Sequence, residues 1–227
     1  MIVRPAGPAA DAEATDGEQV KQDVGLRGPA TIGALVLAAG GSSRMGRPKQ
    51  LIEFRGRTLV RNATLAALRG GCRPVWVVLG AHAARVRREV ADLEARIVVH
   101  RGFRAGLASS IRRGLAELRR GAESPEAVML LLCDQPWLSG VVVRRLARAW
   151  LRAARHEGIT MAACEYSGTL GTPAVFAREE FPRLAALGGD RGAKALLLGS
   201  AKRVVRVSWE RGAIDLDSER RLRLPGD

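Results

Sequence analysis

The stretch ALVLAAGGSSRMGRPKQL, residues 34–51, decides the fold of this chain. Its first six residues are apolar, as in a buried strand, and the run stops at Gly40 and Gly41. The polar and cationic residues of the loop that follows are Ser42, Ser43, Arg44 and Lys49. In α/β proteins, ligands bind at the carboxyl ends of the parallel strands. The stretch therefore predicts a strand that leads directly into a binding loop.

The chemistry of this loop favours an anion. Glycines allow positive φ angles and bring backbone N–H groups close to a ligand, and the hydroxyls add further donors. Arg44 offers a planar fork for phosphate oxygens, and Lys49 offers a compact charge. We therefore expect a triphosphate. The pattern is not a P-loop, since Arg47 and Pro48 occupy the places of its Lys and Ser/Thr, and a glycine-rich turn without a ligand stays an alternative.

The length and composition fit one domain. With 227 residues, 47% of them hydrophobic, the chain can bury one sizeable core. Residues 1–30 are rich in Ala, Gly, Pro and acidic residues and show no sustained apolar periodicity, so we expect a disordered leader there. A mis-assigned translation start would explain the same composition. Residues 31–227 are predicted to form the single folded domain.

The charge and the apolar runs limit the partners. The formal net charge of +14 could serve nucleic acid, an anionic membrane or phosphorylated small molecules. The arginines are dispersed along the chain, and no nucleic-acid reader motif occurs. No apolar run approaches the length of a membrane span, and the N-terminus lacks an export signal. We therefore expect a cytoplasmic protein that binds neither nucleic acid nor membrane.

The cysteines and histidines do not have the spacing of a metal site, and the cysteines do not suggest a set of disulfides. Cys72, Cys133 and Cys164 are too few and too far apart for either, and each lies in or beside an apolar run. We expect three buried thiols. The three histidines show no metal-ligand spacing.

Strand and helix patterns alternate as far as residue 149. The predicted strands after the first are residues 74–79, 96–99 and 127–133, and helical patterns separate them, one of which covers residues 83–93. This alternation predicts a mainly parallel, Rossmann-like, three-layer α/β/α sandwich. From residue 159 the pattern changes to two strands around a glycine-rich turn, an antiparallel excursion, followed by a last strand at residues 203–209.

The most apolar strand, AVMLLLC, ends at Asp134 in the sequence LCDQP. A carboxylate at the carboxyl end of a central strand lies over the ligand crevice, where it can supply a hard oxygen ligand to Mg²⁺. The alternative is that Asp134 caps a helix. Ser139, five residues further on, is the better cap for the helix that we expect to run to about residue 156.

Two motifs carry a family resemblance. LVLAAGGSSRMGRPKQLIEFRGRTLV resembles the signature loop of the MobA-like nucleotidyltransferases, in the form LxAAGxSSRMGxxK of the molybdenum cofactor cytidylyltransferase (MocA-like) branch, and LCDQP resembles that family's LCDxP. The resemblance implies a fold of the nucleotide-diphospho-sugar transferase type. It also implies a Mg²⁺-dependent enzyme that transfers CMP from CTP to molybdopterin and releases pyrophosphate.

The resemblance assigns roles residue by residue. Arg44, Lys49 and Asp134 would be catalytic. The nucleotide would be bound by Ala38, Ala39, Gly40, Gly41, Ser42, Ser43, Arg44 and Lys49, together with Gly106 and Ser110 of a GxxxS segment. The second substrate would be bound by Gln135, Gly171, Pro173, Asp190, Gly192 and Lys194, and the metal by Asp134 and Asp217.

Three positions depart from the family pattern. Thr172 replaces the usual His of GHPxxF, Lys194 replaces the Arg of GDxGAR, and the Pro and last Asp of DIDTPED are missing after Asp217. Residues 109 and 110 could merely cap a helix, and residues 188–194 could be a plain helix start in which Asp190 is the cap.

Two other functions stay open at this point. The same branch resembles a nicotine blue oxidoreductase, which implies an NAD(P)H-dependent reductase without metal. It also resembles accessory proteins of molybdenum hydroxylases, which implies a non-catalytic carrier that delivers the cofactor to a hydroxylase client.

Overall fold

The structure is a computed structural model that describes residues 31–41, 47–121, 124–156, 158–190 and 192–214. Its main sheet has seven strands in the order β5-β4-β1-β6-β8-β7-β9. Their bounds are β1 Ile32–Ala38, β4 Val75–Leu79, β5 Arg96–Val99, β6 Ala127–Leu132, β7 Met161–Tyr166, β8 Thr169–Ala177 and β9 Val204–Ser208. A short hairpin is formed by β2 Glu53–Phe54 and β3 Arg57–Thr58.

Six α-helices accompany the strands in the described part of the chain. They are α1 Leu59–Arg69, α2 Ala83–Arg88, α3 Leu107–Arg120, α4 Gly140–Ala153, α5 Phe181–Ala185 and α6 Lys194–Gly199. Short 3₁₀ turns lie at Lys49–Leu51, Phe103–Ala105, Arg178–Glu180, Ala201–Arg203 and Glu210–Ala213. Within the described ranges, no helix is long and apolar enough to cross a membrane.

The first four strands of that order form the parallel half of the sheet. β1 pairs in parallel with β4 and β6, and β4 pairs in parallel with β5. All seven residues of β1 are buried, as expected for a strand covered on both faces. Side chains of β1 alternate between two cores, with Val36 facing α1 and α4 and Leu35 facing α3. The predicted three-layer α/β/α sandwich is confirmed.

The remaining three strands form the antiparallel half. β8 pairs antiparallel with both β6 and β7, while β9 pairs in parallel with β7. Ser167 and Gly168, both at positive φ, make the tight turn between β7 and β8. The predicted antiparallel excursion is therefore real, and it extends the main sheet.

Two helices end earlier than predicted. The helix expected over residues 83–93 ends at Arg88, although Val86 and Val90 are both buried. The next turns use i→i−3 bonds, from Val90 N to Arg87 O and from Leu93 N to Val90 O, so the apolar spacing continues without an α-helix. α4 ends at Ala153, and its N-cap is Ser139, as predicted, with Val142 N–H donating to the Ser139 hydroxyl.

Candidate active site

A cleft opens at the carboxyl ends of the parallel strands. Its larger part is a cavity of about 910 Å³, lined by the loop after β1, the loop after β4 and the start of α3. A smaller cavity of about 240 Å³ lies against it and shares Leu37, Gly40 and Leu107 with it. The cleft is therefore where the strand pattern predicted a ligand site.

The smaller cavity brings together two of the predicted catalytic residues. Lys49 reaches it from the 3₁₀ turn that follows the glycine loop, and Asp134 reaches it from the turn that follows β6. Parallel strands end at the same edge of a sheet, which is why residues far apart in sequence meet here. A cation and a carboxylate in one cavity can hold a polyphosphate and its metal ion.

Five residues of the predicted loop, among them Ser42, Ser43 and Arg44, lie outside the described residues, and so does Asp217. Their predicted roles stay predictions. On the near side of that gap, Ala39, Gly40 and Gly41 line the larger cavity. Ala38 is fully buried in the core and lines neither cavity.

The start of α3 forms the far wall of the larger cavity. Gly106 is the N-cap residue, with φ of 90°, and Ser110 lines the cavity one turn into the helix. A Cβ on Gly106 would lie 2.5 Å from Gly189 O, so only glycine fits there. Ser109 does not reach the cavity, because its hydroxyl donates to Gly106 O at 2.7 Å and contacts His100 Nε2 at 2.9 Å.

The His100 ring beside this helix is partly withdrawn from water. Burial lowers its pKa, and the nearby guanidinium groups of Arg113 and Arg112 lower it further. The neutral imidazole is therefore favoured, which suits its hydrogen bond to Ser109.

Asp190 lies across the cleft from the glycine loop. It lines the larger cavity, and its Oδ1 would be 2.6 Å from a Cβ on Gly106. The suggested capping of α6 by Asp190 is wrong, since the N-cap residue of that helix is Ala193, which makes no side-chain cap hydrogen bond. The reason is that Gly189 O accepts a hydrogen bond from Ala108 N and so draws this loop onto α3.

The other two residues of this segment lie away from the cavities. Gly192 packs against Leu107, with a would-be Cβ at 3.0 Å from its Cδ2. Lys194 is exposed at the first position of α6 and lines neither cavity. Their predicted contacts with substrate stay predictions.

Gln50, directly after Lys49, holds the glycine loop in place. Its side chain is 2% exposed, and its Nε2 donates to Ala38 O at 3.0 Å and to Gly40 O at 2.6 Å. Within the described residues, its Oε1 is buried without a hydrogen-bond donor. Gln50 thus fixes both ends of the turn that presents Lys49. Gln50 was not among the predicted site residues, although its place beside Lys49 in the motif was a signal.

Gln135, directly after Asp134, makes the corresponding connection on the other side. It is 4% exposed, and its Nε2 donates to Thr172 O at 2.9 Å and to Gly212 O at 3.1 Å. The turn that carries Asp134 is therefore fastened to β8 and to the 3₁₀ turn near the end of the described chain. The predicted contact of Gln135 with substrate stays a prediction.

The GTPAVF segment has a packing role in β8. A Cβ on Gly171 would lie 2.1 Å from the Tyr166 hydroxyl, which itself donates to Thr172 O at 3.1 Å. Burial raises the pKa of Tyr166, so the phenol stays protonated as that donor. Pro173 is buried, and neither it nor Gly171 lines the two cleft cavities.

Gly80, after β4, also shapes the cleft, although it was not among the predicted site residues. A Cβ there would lie 2.5 Å from Ala39 O and 2.7 Å from the Phe103 ring. A glycine is therefore required beneath the loop that follows β1. Its signal was its position at the end of a second parallel strand, on the same edge of the sheet as Gly40.

All three cysteines are buried and free, as expected. Burial raises the pKa of Cys72 and of Cys164 to about 12. Burial also raises the pKa of Cys133, and the neighbouring Asp134 charge raises it further. These thiols are therefore poor nucleophiles and poor metal ligands at neutral pH.

The donor set fits a metal ion that arrives with the nucleotide. Within the described residues, no group of three or more His, Cys, Asp or Glu side chains could hold a metal by itself. Asp134 supplies one carboxylate in the cavity that it shares with Lys49. Mg²⁺ keeps several waters and is commonly held by one or two carboxylates plus substrate phosphates, so this single carboxylate suits it.

Comparison with known proteins agrees with this geometry. Residues 34–204 match the MobA-like NTP transferase domain. The chain belongs to that family. The predicted enzyme class, a nucleotidyltransferase, is the class of this family.

Individual relatives show how far the likeness extends. Nicotine blue oxidoreductase from Paenarthrobacter nicotinovorans is 38% identical over 174 residues, 74% of this chain and 82% of that protein. The crystal structure of Rv0371c from Mycobacterium tuberculosis H37Rv is 31% identical with a TM-score of 0.70, covering 86% of this chain and 96% of that one. A structure of Rv0371c complexed with manganese is 29% identical with a TM-score of 0.67, covering 85% of this chain and 96% of that one.

A more distant neighbour supports the fold. The nucleotidyl transferase Mth528 from Methanothermobacter thermautotrophicus is 22% identical with a TM-score of 0.68, covering 85% of this chain and 94% of that one. The fold of the nucleotide-diphospho-sugar transferase type, expected from the resemblance, is confirmed.

Proposed function

We propose that this protein is a molybdenum cofactor cytidylyltransferase, which transfers CMP from CTP to molybdopterin with Mg²⁺ and releases pyrophosphate. The observation that carries the proposal is that Lys49 and Asp134 line one cavity, next to Gly40 of the glycine loop. This arrangement supplies backbone donors, a cation and a metal-binding carboxylate within one polyphosphate-sized site.

The reaction requires little covalent help from the protein. A phosphate oxygen of the acceptor attacks the α-phosphorus of CTP, the bond from that phosphorus to the bridging oxygen breaks, and pyrophosphate leaves with the bonding electrons. Positioning and electrostatic stabilisation of the developing charge account for most of the catalysis. Lys49 and Arg44 would bind the β- and γ-phosphates and offset the charge on the leaving group.

Asp134, with Asp217 as a second candidate, would hold Mg²⁺. When bound, the metal ion neutralises phosphate charge and orients the triphosphate. The carboxylate of Asp134 lies in the cavity of Lys49, so the ion would meet the phosphates that the lysine binds. The manganese complex of Rv0371c supports a divalent ion in this family.

The larger cavity would hold the nucleoside. Its volume of about 910 Å³ accommodates a base and a ribose, and it connects with the smaller cavity at Gly40. Ser110 on its wall would contact the base or the sugar hydroxyls, and Asp190, the residue predicted to bind the second substrate, lines the same cavity. The choice of CTP follows from the MocA-like motif.

A second candidate function is an NAD(P)H-dependent reductase of the nicotine blue type. It is favoured by the 38% identity to nicotine blue oxidoreductase. In that case the same cleft would bind the pyrophosphate and ribose of the dinucleotide. The reaction would need no metal, so it would give Asp134 no chemical role.

One experiment separates the candidates. Pyrophosphate release is measured with CTP, GTP or ATP, with molybdenum-loaded molybdopterin, and with Mg²⁺ or a chelator. NADPH oxidation is followed in parallel with nicotine blue. We expect pyrophosphate release with CTP in the presence of Mg²⁺, and no release with GTP, with ATP or with the chelator. NADPH oxidation without pyrophosphate release would support the reductase, and neither activity, with molybdopterin bound, would support a carrier for a molybdenum hydroxylase.

A further inference from the structure

A basic and aromatic pocket of about 320 Å³ lies just beyond the Asp134 turn. It is enclosed by the β2–β3 hairpin, residues 136–139 and the 3₁₀ turn Glu210–Ala213. Three arginines, Arg55, Arg57 and Arg211, line it, and the described lining residues include no Asp or Glu. We call it the Arg–Trp pocket, since two of its arginines contact the Trp137 ring.

Trp137 holds two of these arginines in place. The guanidinium carbons of Arg55 and Arg211 lie 4.4 and 4.5 Å from its ring centroid, within cation–π distance. The Phe54 ring meets the Trp137 ring edge-on at 5.1 Å. Cation–π contact leaves the N–H edge of a guanidinium group free for hydrogen bonds, so both arginines can still bind an anion in the pocket.

The remaining walls of the pocket are held by hydrogen bonds and are also electropositive. Asn62 Nδ2 donates to Pro136 O at 3.0 Å and to Leu138 O at 3.1 Å, which fixes the segment that carries Trp137. Ser139 is the N-cap of α4, so the positive end of a 14-residue helix dipole lies at the same wall. Within the described residues, the Trp137 indole N–H is buried without an acceptor.

The pocket gathers three exposed positive charges. Three guanidinium groups surround one cavity, and none of them forms an ion pair with a carboxylate in the described part of the chain. Water and salt screen the repulsion among these exposed charges, and a bound anion would offset what remains of it. A planar fork of N–H donors matches phosphate oxygens in particular.

We propose that the Arg–Trp pocket is a second anion site, separate from the glycine loop, which binds an oxyanion of the phosphate class and holds an anionic group of the acceptor substrate. The assignment to the acceptor rests on the proposed nucleotidyltransferase function. Trp137 follows Asp134 by three residues, so their Cα atoms lie at most about 11 Å apart. A single substrate molecule could therefore reach from this pocket to the cavity that contains Asp134.

The first test measures anion binding by the full chain without nucleotide. Inorganic phosphate is titrated into Lys49→Ala, in which the glycine-loop site is weakened, and tryptophan fluorescence is recorded. Adding Arg55→Gln and Arg211→Gln should weaken the remaining phosphate binding at least about tenfold, since two charge-assisted contacts are lost. Adding Trp137→Phe should remove the fluorescence response.

A matched control removes two positive charges elsewhere. Arg144 and Arg148 are exposed on α4 and line a different cavity. Changing both to Gln in the Lys49→Ala background should leave phosphate affinity unchanged. Equal loss in this control, or full phosphate binding after the Arg55 and Arg211 changes, would overturn the site.

The second test distinguishes an acceptor subsite from a site for free phosphate. With Lys49 restored, Arg55→Gln/Arg211→Gln should raise the KM for molybdopterin about tenfold or more and leave the KM for CTP unchanged. An unchanged acceptor KM would overturn the acceptor assignment. If wild-type protein releases no pyrophosphate at all, the proposed function fails, whereas the phosphate titration still decides whether the pocket binds an anion.

Discussion

In both halves of the sheet, a buried glutamine follows the candidate catalytic residue and donates to two backbone carbonyls. The two glutamines differ in how far along the chain those carbonyls lie. In the parallel half, Lys49 is followed by Gln50, which donates to Ala38 O and Gly40 O, only 12 and 10 residues away. At the border with the antiparallel half, Asp134 is followed by Gln135. It donates to Thr172 O and Gly212 O, which are 37 and 77 residues away.

This difference suggests separate roles in substrate binding for the two halves of the sheet. The 3₁₀ turn with Lys49 is tied through Gln50 to β1 and Gly40, which lie close to it in sequence. The turn with Asp134 depends on β8 and on the 3₁₀ turn Glu210–Ala213, which also carries Arg211 of the Arg–Trp pocket. We therefore infer that the parallel half binds the nucleotide and that the antiparallel half positions the metal-binding carboxylate and the acceptor.

The largest expected effect comes from Asp134→Ala. Turnover should fall by about three orders of magnitude or more, because the metal's stabilisation of phosphate charge is worth several kcal/mol. Pyrophosphate release and circular dichroism would be measured together. Asp92→Ala, which removes an exposed carboxylate remote from both cavities, is the control and should keep full activity. Wild-type turnover in Asp134→Ala would exclude the metal role.

Lys49→Ala should have the next largest effect. Removing one preorganised cation from the leaving group should lower kcat by about 10²–10³-fold. Affinity for CTP should fall as well, because a phosphate contact is lost in the ground state. Lys194, which is exposed, is the lysine predicted to bind the acceptor. Lys194→Ala should raise the KM for the acceptor and leave kcat and the KM for CTP unchanged. Unaltered kcat in Lys49→Ala would remove that residue from the mechanism.

Substitution of the two glutamines tests whether the parallel half binds the nucleotide and the antiparallel half positions the acceptor. Gln50→Met and Gln135→Met keep the side-chain length but lose the donor. Gln50→Met should raise the KM for CTP, whereas Gln135→Met should lower kcat and raise the KM for the acceptor. The same kinetic pattern in both variants would contradict the division of work between the two halves.

The stability of both variants provides a check on the hydrogen bonds. Each substitution leaves two carbonyl oxygens, one of them in a buried hydrogen bond, without their donor, so the free energy of unfolding should fall by about 1–3 kcal/mol in each variant. Urea denaturation measures this loss. A loss near zero would mean that the carbonyls find other donors and that neither glutamine fixes its turn.

The smallest effect concerns the Arg61–Asp92 ion pair, which lies in the parallel half away from the cleft. The hydrogen bond from Arg61 lowers the pKa of Asp92 to about 2. Because the folded pKa lies below the ordinary value, the stabilisation is fully present above about pH 4 and is lost as pH falls through about 2. Asp92→Asn should therefore lower the Tm slightly at pH 6 and less at pH 3, with pyrophosphate release unchanged at pH 7.

Much of the fold followed from local patterns. The strand at residues 96–99 was predicted at its observed bounds, and the Ser139 cap was also predicted. The meeting of Lys49 and Asp134 followed from one rule, that parallel strands end at one edge of the sheet.

What the sequence did not reveal depends on contacts between distant segments. Gln135 was predicted to contact substrate, and its bond to Gly212 O could not be inferred from spacing. Asp190 was predicted to bind substrate, with a helix cap as the alternative, and its place on the cleft wall depends on the docking of Gly189 O on α3, which local spacing does not show. The Arg–Trp pocket joins Arg55 and Arg211 from opposite ends of the domain, and no local pattern connects them.

The central claim is that Lys49 and Asp134 act on one nucleotide, the lysine on its phosphates and the carboxylate through Mg²⁺. The most direct measurement is CTP affinity by calorimetry, with and without Mg²⁺, for wild-type protein, Lys49→Ala and Asp134→Ala. We expect Mg²⁺ to strengthen CTP binding to the wild type and not to Asp134→Ala, while Lys49→Ala binds more weakly but still responds to Mg²⁺. An equal gain from Mg²⁺ in Asp134→Ala and the wild type would contradict the account.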